Sequence, residues 1–141
     1  MSAAILIIGI GNPYRGDDAL GCLIVDEIKS QCPVGAEIIQ HSGEPASLID
    51  LWQGRRCAIL VDAVSSGAQA GTIHRIDFRE QSLPDQFRSY STHAFGIAEA
   101  VELARALNKL PPTSIFYGIE GKNFSINAPL STSLKKKRQK N

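Results

Sequence analysis

Ala4-Ile-Leu-Ile-Ile-Gly-Ile-Gly-Asn-Pro-Tyr-Arg-Gly-Asp-Asp-Ala-Leu-Gly21 is the most informative stretch of the chain. Its first part, Ala4–Ile10, is a continuous apolar run rich in isoleucine. A strand that is apolar at every position is typical of a parallel sheet, because both faces of such a sheet are covered. After the glycine-rich turn, apolar residues recur at helical spacing, at Leu20, Leu23, Ile24 and Ile28. The stretch therefore predicts a buried strand followed by a helix over about residues 17–31.

The rest of the chain continues to alternate between strand and helix patterns. Further strands are predicted at 36–40, 58–61, 72–78 and 114–119, and further helices at 45–53 and 92–108. The 72–78 segment mixes polar and apolar residues, as a half-exposed edge strand does. The predicted fold is a three-layer α/β/α sandwich with a mostly parallel, roughly five-stranded sheet and one antiparallel edge strand. We expect one domain over residues 1–130 and a basic, disordered tail over 131–141.

Composition narrows the class of protein. The chain has 141 residues, 43% hydrophobic and 21% charged, which is ordinary for one globular domain. Its longest apolar stretch, residues 3–10, is far too short to span a bilayer and lacks the features of a signal peptide. We therefore expect a cytoplasmic protein without membrane insertion. Three widely spaced cysteines fit neither a disulfide framework nor a zinc ribbon, so we expect them to be reduced and packed in the core: Cys22, Cys32 and Cys57.

The charge distribution argues against a nucleic-acid partner. Five of the fifteen basic residues lie in the last seven positions, 135–141. Residues 1–134 therefore carry ten basic and fourteen acidic groups. A nucleic-acid-binding domain more often carries its positive charge on the folded surface.

Three residues far apart in sequence are candidates for one metal site. Asp18 follows the glycine-rich turn, Asp62 follows the apolar run Cys57–Val61, and His93 precedes the strong helical pattern. Each is predicted where a strand ends or a helix begins, which is where α/β proteins gather functional groups. Two carboxylates and an imidazole suit a borderline divalent ion such as nickel or zinc. Taken singly, Asp18 is more often a helix-capping residue, Asp62 could cap a helix or turn, and a lone histidine is more often structural.

Other site motifs are absent or incomplete. The dinucleotide pattern G-x-G-x-x-G requires glycine at position 14, where this chain has Tyr14. Neither G-x-S-x-G nor H-E-x-x-H occurs, which disfavours a serine hydrolase of the α/β type and a zincin.

Four segments resemble the hydrogenase maturation proteases, which trim the large subunit of nickel–iron hydrogenases. They are G-I-G-N-P-Y-R-G-D-D-A-L-G (9–21), A-I-L-V-D-A-V (58–64), S-T-H-A-F-G (91–96) and Y-G-I-E-G-K-N-F-S (117–125). The resemblance covers roughly residues 4–130. It implies that Asp18, Asp62 and His93 contact nickel, the same three residues that the sequence pattern selects.

The resemblance also implies a mechanism. The hydrogenase large-subunit precursor is the expected partner, and it would carry nickel on its own cysteines. The three ligands would recognise that nickel, after which a C-terminal extension is removed. The expected catalytic residues are Asp18 and Asp62, either of which could be the general base. The metal could instead polarise the peptide carbonyl or a water molecule.

One departure from the family pattern leaves alternatives open. Members of the family usually end in a helix that packs on the sheet, whereas this chain offers only Pro129–Leu134 and the basic tail. A missing helix would expose apolar sheet surface, so a homodimer that covers it is one expectation.

Two other functions remain as alternatives to the protease: a non-catalytic nickel-binding maturation factor, and a hydrolase similar to the peptidyl-tRNA hydrolases.

Overall fold

The apolar run at the start of the chain forms the first strand of a five-stranded sheet. The computed structural model describes residues 4–11, 21, 24–26, 35–84 and 92–121, without the side chains of 92–95. The strands are β1 (Ile5–Ile10), β2 (Ala36–His41), β3 (Cys57–Val64), β4 (Ile73–Asp77) and β5 (Thr113–Glu120). Their order across the sheet is β2-β1-β3-β5-β4. All neighbours are parallel except β4 and β5, so β4 is the antiparallel edge strand that the sequence predicts.

The two faces of the sheet carry different parts of the core. Along β1 and β3 the side chains alternate between the faces, as the period of two in a strand requires. One face carries the larger cluster, which includes Leu6, Ile8 and Ile10 of β1 together with Leu60 and Val64 of β3. The other face carries a smaller cluster of Ile24, Val61, Ala63 and Ile119. Helical residues pack on both faces, which confirms the predicted three-layer arrangement.

Helix α1 (Pro45–Trp52) follows β2 and packs on the larger cluster. Glu44 is its N-cap, and the carboxylate accepts hydrogen bonds from the backbone N–H groups of Ala46 and Ser47. Pro45 occupies the first turn, where a missing N–H group costs nothing. Trp52 is almost fully buried at the end of this helix.

Helix α2 (Thr92–Ala106) contributes its buried side to the same cluster, through Ile97, Val101 and Ala104. It ends in a left-handed residue, Asn108, with φ of 59°. The N–H of Asn108 donates to the carbonyl of Arg105, and the N–H of Lys109 donates to the carbonyl of Ala104. This is the Schellman pattern that closes helices.

The observed boundaries differ from the predicted ones at two informative places. Strand β3 continues through Asp62 to Val64 instead of ending at Asp62, because Ala63 and Val64 extend the apolar pattern into buried positions. The helix predicted to run to residue 108 ends at Ala106, and Leu107, which follows it, is 51% exposed.

Part of the predicted organisation lies outside the described residues. Of the helix predicted over residues 17–31, Gly21 and residues 24–26 are described, and they are helical. The tail predicted over 131–141, Cys22 and Cys32 are also outside. None of the described helices is long and apolar enough to cross a membrane.

Candidate active site

The carboxyl ends of the parallel strands form one edge of the sheet, which is called the carboxyl edge below. The chain runs from β1 outward to β2 and then returns to the other side of β1 as β3. The boundary between β1 and β3 is therefore the topological switch point. Ligands of open α/β sheets bind outside the carboxyl ends of the strands at such a point.

Asp62 lies on β3 beside this switch point. It comes directly after Val61, which pairs with Gly9 of β1, and it pairs with Gly118 of β5 on its other side. Its side chain is fully buried. By the alternation of the strand, Asp62 shares the sheet face of Leu60 and Val64, which is the face covered by α1 and α2. Burial of a carboxylate is costly unless charge, hydrogen bonds or a metal compensate it, so this position is a strong candidate for a functional group.

The segment that carries Asp18 reaches the same place. Asp18 itself lies outside the described residues, but Gly21 packs directly on the backbone of the carboxyl edge. A Cβ atom at position 21 would lie 2.3 Å from the carbonyl oxygen of Val61 and 2.5 Å from that of Ile10. Only glycine permits this approach. Asp18 comes three residues before Gly21 in the sequence, and its place at the switch point stays a prediction.

The start of α2 reaches the carboxyl edge from the opposite face. His93 is the second residue of this helix, and its side chain lies outside the described part of the structure. Gly96, one turn later, packs on the turn after β2, because a Cβ atom there would lie 2.3 Å from the carbonyl oxygen of Gly43. The start of α2 therefore lies next to the turn that follows β2. The fold thus brings Gly21, Asp62 and the backbone of the first turn of α2 toward one edge of the sheet.

The described side chains do not by themselves complete a metal site. Among them, no group of three histidine, cysteine, aspartate or glutamate residues could hold a metal ion. Asp62 is the one predicted ligand whose side chain is described. The triad of Asp18, Asp62 and His93 therefore remains a prediction.

His41 and Glu44 flank the turn on which α2 rests. The Nδ1 atom of His41 accepts a hydrogen bond of 2.8 Å from the N–H of Gly43. Burial lowers the pKa of His41 below its usual 6.5, and the nearby Glu44 carboxylate opposes that shift. In the neutral ring the proton is therefore on Nε2. Hydrogen bonds from the N–H groups of Ser47 and Ala46 lower the pKa of the exposed Glu44 carboxyl, which identifies Glu44 as a helix cap.

A second buried acid near the carboxyl edge was not found from the sequence. Glu120, at the end of β5, is 1% exposed. It accepts hydrogen bonds from the N–H of Ser66 at 3.0 Å, from the Ser66 hydroxyl, and from Nε2 of His74 at 3.1 Å. These three residues are called the Glu120 cluster below. The side chain of His74 is only 22% exposed because it faces this carboxylate.

Comparisons with known proteins agree on one family. A family model described as hydrogenase maturation protease matches residues 22–140. The chain belongs to the hydrogenase maturation protease family. It is 33% identical over 127 residues to a Methanocaldococcus jannaschii protein provisionally named as such a protease, covering 86% of this chain and 79% of that protein. It is 27% identical over 119 residues to the hydrogenase 2 maturation protease of Escherichia coli, covering 82% and 71%.

Solved structures share the fold of this hydrogenase maturation protease. The hydrogenase-maturating endopeptidase HybD of Escherichia coli has a TM-score of 0.83 at 23% identity, covering 99% of this chain and 86% of that one. A solution structure of an endopeptidase from Escherichia coli has a TM-score of 0.84 at 24% identity, with the same coverage. The family is one of endopeptidases, so this chain is a peptidase, and the carboxyl edge is its candidate active site.

Proposed function

We propose that this hydrogenase maturation protease removes the C-terminal extension of a hydrogenase large-subunit precursor that already carries nickel. Asp18, Asp62 and His93 would contact that nickel from the carboxyl edge. The observation that carries the proposal is the convergence of distant segments at the carboxyl edge. Gly21 and Asp62 lie at the switch point, and the start of α2 lies beside the turn after β2 at the same edge.

Nickel would act as the recognition signal and would arrive with the substrate. Carboxylate oxygens and an imidazole nitrogen are suitable ligands for nickel. They would occupy coordination positions left open by the precursor's own cysteines. A precursor without nickel would lack this anchor, so cleavage would follow metal loading.

Hydrolysis requires a water molecule to attack the carbonyl carbon of the peptide bond while the leaving nitrogen gains a proton. Either Asp18 or Asp62 could take the proton from the water, in an aspartyl-type reaction. In the alternative, the nickel polarises the carbonyl or the water, and the carboxylates only hold the metal. The buried position of Asp62 suits both roles, because a water-excluded site strengthens electrostatic interactions.

The Asp62→Asn variant separates these roles. If Asp62 is the general base, the variant binds nickel-loaded precursor but its kcat falls by about 100-fold or more. If Asp62 only holds the metal, precursor binding weakens and saturating precursor restores most of the rate. Asp50→Asn, an exposed aspartate of α1, is the matched control and should leave both quantities unchanged. Wild-type kcat and binding in Asp62→Asn would remove Asp62 from the site.

Family membership favours the peptidase over the two alternatives from the sequence. A non-catalytic nickel-binding factor would bind the loaded precursor without changing its mass. A hydrolase similar to the peptidyl-tRNA hydrolases would bind tRNA, which the acidic balance of residues 1–134 disfavours. Intact-mass and tRNA-binding measurements distinguish both from the protease. We also place the protein in the cytoplasm, where a soluble precursor would be processed.

A homodimer through the sheet is a further part of the proposal. An apolar groove of about 390 Å³ crosses the face that carries the smaller core cluster, and it is lined by Ile7, Ile24, Ile59, Val61, Ile73, Tyr117 and Ile119. Ile73 at its margin is 44% exposed. A second copy of the chain would cover this surface. Sedimentation of the wild type and of Ile73→Lys tests this, and a monomeric wild type would contradict it.

A further inference from the structure

The Glu120 cluster fastens the connection between β3 and β4, residues 65–72, to the end of β5. The carboxylate receives the N–H of Ser66 on both oxygens, at 3.0 and 3.2 Å, together with the Ser66 hydroxyl. It also receives Nε2 of His74 at 3.1 Å. Because the acceptor is a buried carboxylate, these hydrogen bonds are charge-assisted and stronger than neutral ones.

The backbone of Glu120 holds the other end of the same connection. Its carbonyl accepts the N–H of Gly71 at 2.9 Å, and its N–H donates to the carbonyl of Thr72 at 2.8 Å. The next residue, Gly121, donates to the carbonyl of Val64 at 2.9 Å. One residue of β5 therefore contacts the beginning and the end of the connection.

The register places this cluster beside Asp62. Asp62 pairs with Gly118, and Gly118 pairs with His74, so these three residues form one row across β3, β5 and β4. Gly118, in the middle, has no side chain. Glu120 pairs with Val64, two residues beyond Asp62 and on the same face. Strand spacing and rise put the Cα atoms of Asp62 and Glu120 about 8 Å apart.

We propose that Glu120 is a positioning residue of the active site, which fixes the 65–72 connection and His74 along the row that contains Asp62. The inference rests on the proposed function. The connection follows directly from the strand that carries Asp62, and it borders the carboxyl edge that the precursor must approach. Fixing this border before the substrate arrives keeps the peptide and Asp62 in reacting geometry, where an error of 1 Å can lower the rate by about 100-fold.

Two substitutions of Glu120 test this role. Glu120→Gln keeps the shape and part of the hydrogen bonding but loses the charge, whereas Glu120→Ala removes the acceptor. We expect kcat per folded molecule to fall by about tenfold in Glu120→Ala and by less in Glu120→Gln, with KM within about threefold of wild type. The backbone N–H of Ser66 should exchange with solvent at least about tenfold faster in Glu120→Ala.

Arg55→Gln is the matched control for lost stability. Arg55 is also buried, and it pairs with Glu37 at 2.9 Å, but it lies next to the start of β3 at the opposite edge of the sheet. The Arg55→Gln variant should be less stable than the wild type, but its kcat per folded molecule should stay within about twofold of wild type. His74→Gln serves if Glu120→Ala does not fold, and it should lower kcat in the same direction by a smaller factor.

Three outcomes would overturn the inference. The first is wild-type kcat per folded molecule in Glu120→Ala or, if that variant does not fold, in His74→Gln. The second is an equal loss in Arg55→Gln, which would reduce Glu120 to a structural role. The third is a wild-type protein that cleaves no precursor. In that case the proposed function fails as well, and the exchange data still report separately whether Glu120 holds the connection.

Discussion

Replacing Gly96 with alanine should have two opposing effects on the stability of the protein, one from helix propensity and one from a steric contact. Alanine is favoured over glycine inside a helix by about 1 kcal/mol, so local propensity alone predicts a more stable protein. The structure predicts the opposite, because the added Cβ would lie 2.3 Å from the carbonyl oxygen of Gly43. Since carbon and carbonyl oxygen normally approach to about 3.3 Å, the first turn of α2 must move by roughly 1 Å.

The two effects can be combined. Overpacking of this kind costs about 1–3 kcal/mol, which exceeds the propensity gain. We therefore expect the free energy of unfolding of Gly96→Ala to fall by about 1 kcal/mol, within a range of roughly zero to 2. The larger effect should be on activity. Displacement of the turn that carries His93, the proposed nickel ligand, by about 1 Å would lower kcat by up to about 100-fold.

The assay combines urea unfolding, followed by far-UV circular dichroism, with the rate of precursor cleavage by the folded variant. Glu99→Ala is the control, because Glu99 lies on the exposed side of the same helix. Its stability should change by less than about 0.5 kcal/mol and its kcat should not change. A Gly96→Ala protein that gains about 1 kcal/mol and cleaves at the wild-type rate would refute the contact between α2 and the turn after β2.

Three further predictions concern single groups. Burial lowers the pKa of His41, so the stability that this residue contributes is fully present above pH 6.5 and should be lost as the pH falls below that value. Urea unfolding between about pH 7.5 and 5.5 should show this loss in the wild type and a smaller loss in His41→Gln. Equal losses in the two proteins would contradict the prediction. Burial raises the pKa of the Cys57 thiol above its usual 9.0. Cys57 should therefore react with a disulfide reagent at about pH 8 at least about tenfold more slowly than glutathione does, and an equal rate would contradict this prediction. Asn108 is left-handed, so Asn108→Val should lower the free energy of unfolding by about 1–2 kcal/mol while Asn108→Gly is nearly neutral, and an unchanged valine variant would contradict the Schellman ending of α2.

The fold could be predicted from the sequence because its strongest signals are local. The apolar run that became β1 and the helical spacing that became α2 need no knowledge of their partners. The edge position of β4 was also readable, since its half-exposed pattern differs from those of the buried strands. The end of β3 was wrong because Asp62 was taken to terminate the strand. Asp62 instead lies inside a buried strand, where tertiary structure overrides local preference.

The burial of Cys57 was also not predictable from the sequence pattern alone. Its place in an apolar run predicted core packing, but it is the first residue of β3 and is only partly buried. It lines a pocket at the end of the sheet opposite to the carboxyl edge. Burial at the first position of a strand depends on the loops around it, and the pattern of apolar residues within the strand does not indicate where those loops lie.

The Glu120 cluster could not have been predicted, because its contacts are distant in sequence. Glu120 and Ser66 are separated by 54 residues, and Glu120 and His74 by 46. No spacing rule connects them, and only the register of β3, β5 and β4 brings them together. The choice of Asp18, Asp62 and His93 rests on the general rule that functional residues of α/β proteins concentrate where strands end and helices begin, and it stays a prediction.

The most direct measurement is the intact mass of the hydrogenase large-subunit precursor after incubation with this protein, with the precursor prepared both with and without nickel. We predict that a C-terminal peptide is lost from the nickel-loaded precursor alone. Equal cleavage of both forms would contradict the role of nickel as the recognition signal. An unchanged mass of the loaded precursor, under conditions in which the protein is folded, would contradict the proposed protease function itself.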